Sequence, residues 1–260
     1  MNRKLAVVIP FHSGHANVQK VTDYDEQWRL KTTARPEWWA QRADIFKRYT
    51  LASLLNQSFK DFDIWLVLPC TEEVAEVAEP LLAVVRGIPQ VRVTFDQDEV
   101  RHYYADKCDE LLWVHLDSDD MYGPDAMSML NKARCKLGMV LLFDHGYIYN
   151  CMEKILAHFD SRRASMPFYT IYYTKIALAS VENWNAYRLK YKLERYHWQM
   201  SSCQVRLHMP EGQFCFLVHG GNVVSTWENP NIQSRVRSLV DDETRLRILR
   251  TFLGEKHVEA

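Results

Sequence analysis

The sequence predicts an α/β fold: a mostly parallel, doubly wound sheet flanked by helices. Three observations carry that expectation. Short apolar runs bounded by proline or polar residues alternate with helix-spaced segments through the first half. That order implies parallel strands joined by crossovers. A chain of 260 residues, 47% of them hydrophobic, is also long enough to bury a large core.

The elements follow in order. Leu5–Ile9 is an apolar run closed by Pro10, a buried strand. The polar stretch from His12 to about Pro36 is long for a structureless loop and points to function or local order. Trp39 to Asn56 carries helical spacing at Ile45, Tyr49, Ala52 and Leu55. Ile64–Leu68 is the second strand, stopped by Pro69, and Glu72 to Val85 a helix interrupted near Pro80. Val91–Phe95 is the third strand, Glu99 to Asp109 a short helix, and Leu111–Leu116 the fourth strand, ending at Asp117.

The second half is less regular. Pro124 to Lys136 reads as helix, Met139–Phe143 and Phe168–Tyr173 as strands, and Glu182 to Met200 shows no clear period. Phe214 to His219 is a strand running into Gly220-Gly221-Asn222. From Asn231 the apolar positions Ile232, Val236, Leu239, Leu246, Leu249 and Leu253 favour helix, with a break near Asp241-Asp242. The expectation is a single domain over 1–260. It divides into halves 1–122 and 123–260, the second ending in a helix.

Charge and composition exclude several classes. With 32 basic against 33 acidic residues the chain lacks the excess of positive charge that nucleic-acid binding needs. No apolar run reaches 18 residues, so no membrane span is expected. No secretory leader is read in the first 30 residues, and the expected compartment is the cytoplasm. The six cysteines (Cys70, Cys108, Cys135, Cys151, Cys203 and Cys215) show no metal or redox spacing and read as reduced thiols. Eight Trp and thirteen Tyr favour a sugar or nucleotide ligand, or else aromatic packing at seams.

Ligands of such sheets bind beyond the carboxyl ends of the strands. Pro10-Phe11-His12, Asp96-Gln97-Asp98 and Asp117-Ser118-Asp119-Asp120 are therefore the segments to weigh. No glycine-rich phosphate loop follows these strands, against a dinucleotide dehydrogenase or a P-loop NTPase. Asp-x-Asp occurs four times, but only Asp117/Asp119 directly closes a near-continuous apolar strand and leads into a Gly-Pro turn. Alternate residues of an extended chain point the same way, so both carboxylates could face one pocket. Clustered carboxylates repel unless a cation lies among them, and oxygen ligands suit Mg²⁺ or Mn²⁺.

Val8-Ile-Pro10, then Leu51-Ala-Ser-Leu-Leu-Asn-Gln57 with Phe62-Asp-Ile-Trp-Leu-Val67, then Val114-His-Leu-Asp-Ser-Asp-Asp120 form an ordered series. It resembles the nucleotide-binding half of GT-A glycosyltransferases, in particular the family-2-like and rhamnosyltransferase-like group. Gly146-Tyr147, Met166-Pro-Phe168 and Val218-His-Gly-Gly-Asn222 resemble the same subgroup more weakly. The resemblance implies transfer of a sugar from a UDP- or dTDP-linked donor to a glycan, lipid-linked or protein acceptor, in polysaccharide biosynthesis. It implies that Asp117 and Ser118 lie near the ribose, and that Asp119 and His219 bind a catalytic Mn²⁺ or Mg²⁺. Pro10, Phe11, His12, Asp96 and Arg101 would also serve the nucleotide-sugar. The family's second strand ends in an acidic pair followed by Gly-Ser, whereas this one ends Leu68-Pro69-Cys70-Thr71. Asp96, at the end of the third strand, could take the place of that base contact, which leaves uracil and thymine both open.

Inverting transfer needs a base beside the acceptor hydroxyl. Asp144, His145, Glu194 and His197 are the candidates, and a retaining mechanism would need no such base; Glu194 and His197 rank first because they sit among aromatics, of which Trp184, Tyr191 and Trp198 are expected to hold acceptor sugar. A sugar nucleotidyltransferase would share the acidic sheet end but carries a glycine-rich loop after the first strand, which is lacking here. A carbohydrate-binding module without catalysis would explain the aromatics and leave the carboxylates without a purpose.

Overall fold

The computed structural model describes residues 2–11, 35–69, 72–160, 168–191, 193, 205–210, 212–220 and 226–255. Along the chain these form β1 (Arg3–Pro10), α1 (Pro36–Ile45), a π-helical turn (Phe46–Leu51), α2 (Ala52–Leu55), β2 (Asp63–Val67), α3 (Glu72–Val77) and α4 (Glu79–Val85). There follow β3 (Val91–Thr94), α5 (Gln97–Ala105), β4 (Glu110–His115), β5 (Met121–Tyr122), α6 (Ala126–Lys132), β6 (Met139–Phe143), β7 (His145–Asn150) and β8 (Ile155–Asp160). Then come β9 (Tyr169–Thr174), α7 (Lys175–Leu178), α8 (Val181–Tyr191), β10 (Val205–Met209), β11 (Phe214–Val218), α9 (Pro230–Gln233), β12 (Val236–Leu239) and α10 (Asp242–Leu253).

Seven strands make the main sheet in the order β10-β6-β9-β4-β1-β2-β3. Every neighbouring pair is parallel except the two that involve β9. The expected α/β architecture is thus observed. Period-two alternation sorts its side chains between two cores. On one face Leu5, Val7, Ile9, Ile64, Leu66, Leu112 and Val114 pack with Trp39, Phe46 and Leu81. On the other, Ala6, Val8, Trp65, Leu111 and Trp113 pack with Val100, Tyr104 and Trp184. Strands buried on both faces read as continuous apolar runs, which is why β1 and β4 stand out in the sequence.

The second sheet, β12-β8-β7-β11-β5, is where the structure departs from expectation. β7 and β8 pair antiparallel from His145↔Asp160 to Asn150↔Ile155, and β12 pairs β8 across a bulge. Val236–Leu239 is therefore strand where the apolar spacing suggested helix. Val236 and Leu239 stand three apart, as on a helix face, yet Leu239 is largely exposed and the segment is held by backbone pairing. The helix expected beyond Asp241 is present as α10, with the Asp241 side chain accepting from the Thr244 N–H as its N-cap. Its Leu249, Phe252 and Leu253 bury against Leu156, Leu217 and Ile45.

Among the described residues no helix is long and apolar enough to cross a membrane. The described cysteines, Cys108, Cys135, Cys151 and Cys215, are unbridged. Gln57 fastens α2 to the segment that follows β4. Its amide is fully buried, donates to the Ser53 and Gly123 carbonyls at 3.1 and 2.7 Å, and accepts from the Met127 N–H at 3.1 Å. Gln57→Leu keeps the shape but leaves those buried backbone groups unpaired. We expect a loss of about 2 kcal/mol, read as a lower denaturant midpoint at unchanged m-value. An unchanged midpoint would show that the amide bridge is dispensable.

Candidate active site beyond the end of the fourth strand

All six residues of β4 are buried, and the chain leaves the sheet at Leu116 to place Asp117, Ser118, Asp119 and Asp120 beyond its carboxyl end. The carboxylates do not share one environment. Asp117 is the outermost, its side chain 39% exposed, with Oδ1 3.2 Å from His115 Nε2. The His115 ring is itself buried and stacks on Tyr169 at 4.6 Å and 7°. Ser118 is buried.

Asp119 is the meeting point of three elements. Its Oδ2 lies 3.0 Å from His219 Nε2, at the end of β11, and 2.9 Å from Arg42 Nη1, on α1. Burial by itself would raise the Asp119 pKa, but the Arg42 charge and the His219 hydrogen bond outweigh it and hold the carboxyl at about 2. Asp120 turns inward. It is fully buried, and its Oδ1 accepts from the Leu217 N–H of β11 at 2.9 Å. Its Oδ2 has no hydrogen-bond partner. Burial first, then the charges of Asp119 and Asp117, push its carboxyl well above the ordinary value and favour the neutral acid.

The local sequence explains the convergence. On α1 the Trp39 and Ala43 side chains enter the core, as does Phe46 at the start of the π-helical turn, with Phe11 against Trp39 and Phe46. Arg42 flanks that stripe one turn along, which carries its guanidinium to Asp119 and against the Trp38 ring at 5.3 Å. β5 pairs antiparallel with the start of β11, so the chain leaving β4 is tied to the strand that delivers His219.

The structure brings Asp119 and His219 together at 3.0 Å and keeps Asp117, Ser118 and Asp96 at the same edge of the sheet. Asp96 is exposed at the end of β3 and caps α5, its Oδ1 accepting from the Asp98 N–H. Pro10 ends β1 beside Val67. Other expectations are corrected. The Phe11 ring is a core side chain rather than a ligand platform, since it is buried against Trp39 and Phe46. Arg101 is not available to phosphate: its guanidinium is buried, forks onto Asp98 at 2.6 and 3.0 Å, and donates to the Leu178 carbonyl.

Trp184 is buried and stacked on Tyr173 at 4.2 Å. The Tyr191 ring lies against Gly138, where an added Cβ would stand 2.1 Å from its Cδ1. Gly138 precedes β6, at the amino edge of the sheet, so these two aromatics are packing residues at the end opposite Asp117 and not an acceptor platform beside it. His12, Glu194, His197 and Trp198 lie outside the described residues. Arg42 and Asp120 were not singled out from the sequence. The two adjacent acids after β4 hinted at Asp120, whereas nothing in the linear order signals Arg42.

The donor set at Asp119 and His219 fits a divalent cation in chemistry: one carboxylate and one imidazole. Among the described residues no group of three or more such side chains converges. A cation held there by two protein ligands would complete its shell with water and phosphate oxygens.

The two buried acids oppose each other in pH dependence. Asp119, with its folded-state pKa depressed, adds stability that is present above roughly pH 4 and lost as pH falls toward 2. Asp120, with its folded-state pKa raised, adds stability below roughly pH 4 that is lost as pH rises through its folded value. In chelator, Asp120→Asn should raise the melting temperature at pH 7 by a few degrees, at about 2–4 °C per kcal/mol for a chain of this size. The gain should shrink to nothing near pH 4. A variant less stable than wild type at pH 7 would show that the charged form is well accommodated.

Comparison with known proteins fits this edge of the sheet. Residues 12–122, less than half of the chain, match the family described as "Putative rhamnosyl transferase". No curated protein matches. A solved apo structure of the WbbM bifunctional glycosyltransferase is similar at 13% identity and a TM-score of 0.29, over 54% of this chain and 23% of that one. A likeness so distant bears on neither fold nor activity, and the chain spans under a quarter of that protein's solved length. The family match bears out the resemblance to glycosyltransferases that the second and fourth strands carry in the sequence, over a segment that begins after β1 and ends two residues beyond Asp120.

Proposed function

We propose that the protein is a cation-dependent glycosyltransferase. It would move a sugar from a UDP- or dTDP-linked donor to a hydroxyl of a glycan, lipid-linked or protein acceptor. The family match favours a rhamnosyl group. The observation that carries the reading is the meeting of Asp119 and His219 at 3.0 Å, where ligands of parallel sheets bind, inside or beside a segment that matches glycosyl transfer.

Asp119 and His219 would hold Mn²⁺ or Mg²⁺, which when bound acts as a Lewis acid on the leaving diphosphate. Asp117, outermost of the three carboxylates, would accept hydrogen bonds from the ribose hydroxyls. Asp96 at the end of β3 is the candidate contact for the base. Asp120 anchors the segment to β11 through the Leu217 N–H, so its task is to fix Asp119 toward His219 and not to touch substrate. Glu194 and His197 remain the candidates to take the proton from the acceptor hydroxyl.

Calorimetric titration of UDP and dTDP should show binding in Mn²⁺ and its loss in chelator; equal affinity in both would sink the cation assignment. Turnover is followed by nucleotide release from a panel of UDP- and dTDP-sugars that includes dTDP-rhamnose. Asp119→Ala and His219→Ala should each lose most of it, and the double variant should lose little more, because groups that act as one unit are non-additive. Two independent, additive losses would mean that the pair holds no common ligand.

A further inference from the structure

Arg42 has no task in the reading above, yet it is a cation that the site already contains. Its Nη1 stands 2.9 Å from Asp119 Oδ2, the same oxygen that faces His219, and its side chain retains 16% exposure. The guanidinium lies against the Trp38 ring one turn earlier on α1, an arrangement that orients a flat cation while leaving part of its rim open.

We propose that Arg42 is the chain's contact for the diphosphate of the donor, held in reserve by Asp119 until that carboxylate is taken by another cation. The proposal rests on the nucleotide-sugar reading. Three observations support it. A planar guanidinium matches phosphate oxygens with paired donors. The sequence has no glycine-rich phosphate loop after any of the first four strands, so a side chain has room to take that loop's role. Arg101, the arginine expected from the sequence to meet phosphate, is fully engaged by Asp98 and Leu178.

Asp119 and a phosphate then compete for one guanidinium. Neutralising Asp119 frees Arg42 for the anion, so a cation on Asp119 and a diphosphate on Arg42 favour each other, and the coupling is reciprocal. Inserting a divalent cation without moving Arg42 would place two positive groups on one carboxylate oxygen. Exchange of Arg42 from carboxylate to phosphate removes that conflict.

The test uses inorganic pyrophosphate in chelator, with no cation and no transfer. Calorimetry compares wild type with D119N, R42Q and R42K. D119N, which releases the guanidinium, should bind pyrophosphate about fivefold or more tightly than wild type, and R42Q about tenfold or more weakly. R42K, which keeps the charge and loses the fork, should fall between R42Q and wild type and carries the test should R42Q not fold. An ion pair with a purely structural role predicts a lower melting temperature for D119N and no gain in anion affinity. The proposal is overturned if D119N binds no more tightly than wild type, or if the folded Arg42 variants bind as wild type does. The two readings fail separately. Pyrophosphate results as expected without any donor binding would sink the nucleotide-sugar reading alone. Donor binding without a D119N gain would sink the Arg42 proposal alone.

Discussion

One carboxylate oxygen organises this molecule's ligand edge. Asp119 Oδ2 receives Arg42 from the first helix and His219 from the far end of the second sheet, so three elements distant in sequence are fixed around one charge. The constraint arises from β4. A strand buried along its whole length must release its chain at the carboxyl end, and here it does so with three acids in four residues. Carboxylates that close are mutually repulsive, and the fold resolves the repulsion in three different ways. Asp117 faces water, Asp119 is paired with cationic and hydrogen-bonding partners, and Asp120 is buried with its proton favoured.

The supporting structure follows from that arrangement. Gln57 ties α2 to the Tyr122–Gly123 turn, β5 ties the same turn to β11, and the Leu217 N–H holds Asp120. Each link acts on backbone or on a buried side chain, so the exposed groups, Asp117 above all, remain open to a ligand. The stretch from α1 through the π-helical turn to α2 feeds two cores, Trp39, Phe46 and Leu54 entering one and Ile45 and Ala52 the other.

Much of this was legible in the sequence, for reasons of period and punctuation. β1, β2 and β4 are buried on both faces and read as apolar runs stopped by Pro10, Pro69 and Asp117. The strand-end position of Asp117–Asp119 followed from that alone, and the pairing of Asp119 with His219 followed only from the family resemblance. The second sheet was not legible. His145–Asn150 mixes Gly, Tyr and Asn without clean alternation, because β7 lies in the interior of its sheet, between β8 and β11. β12 mimicked a helix through its i, i+3 spacing. Trp184 and Tyr191 misled for a different reason: aromatic rings suit sugars and cores equally, and only the direction in which β9 and β6 run places these two at the edge away from Asp117.

Arg42 and Arg101 show why residue type alone cannot assign a phosphate contact. Both are arginines on helices near the carboxyl edge, and both are paired with an aspartate. The fork of Arg101 is closed on both sides, bidentate to Asp98 and donating to the Leu178 carbonyl, and it serves to clamp α5 to α7. Breaking it would strand a buried charge. Arg42 is paired through a single oxygen, and that oxygen has His219 as an alternative partner. Release of Arg42 therefore leaves Asp119 with a hydrogen bond still in place, whereas release of Arg101 leaves two groups unpaired. The difference between a cation built into the scaffold and one that can be exchanged lies in whether its partner has somewhere else to turn.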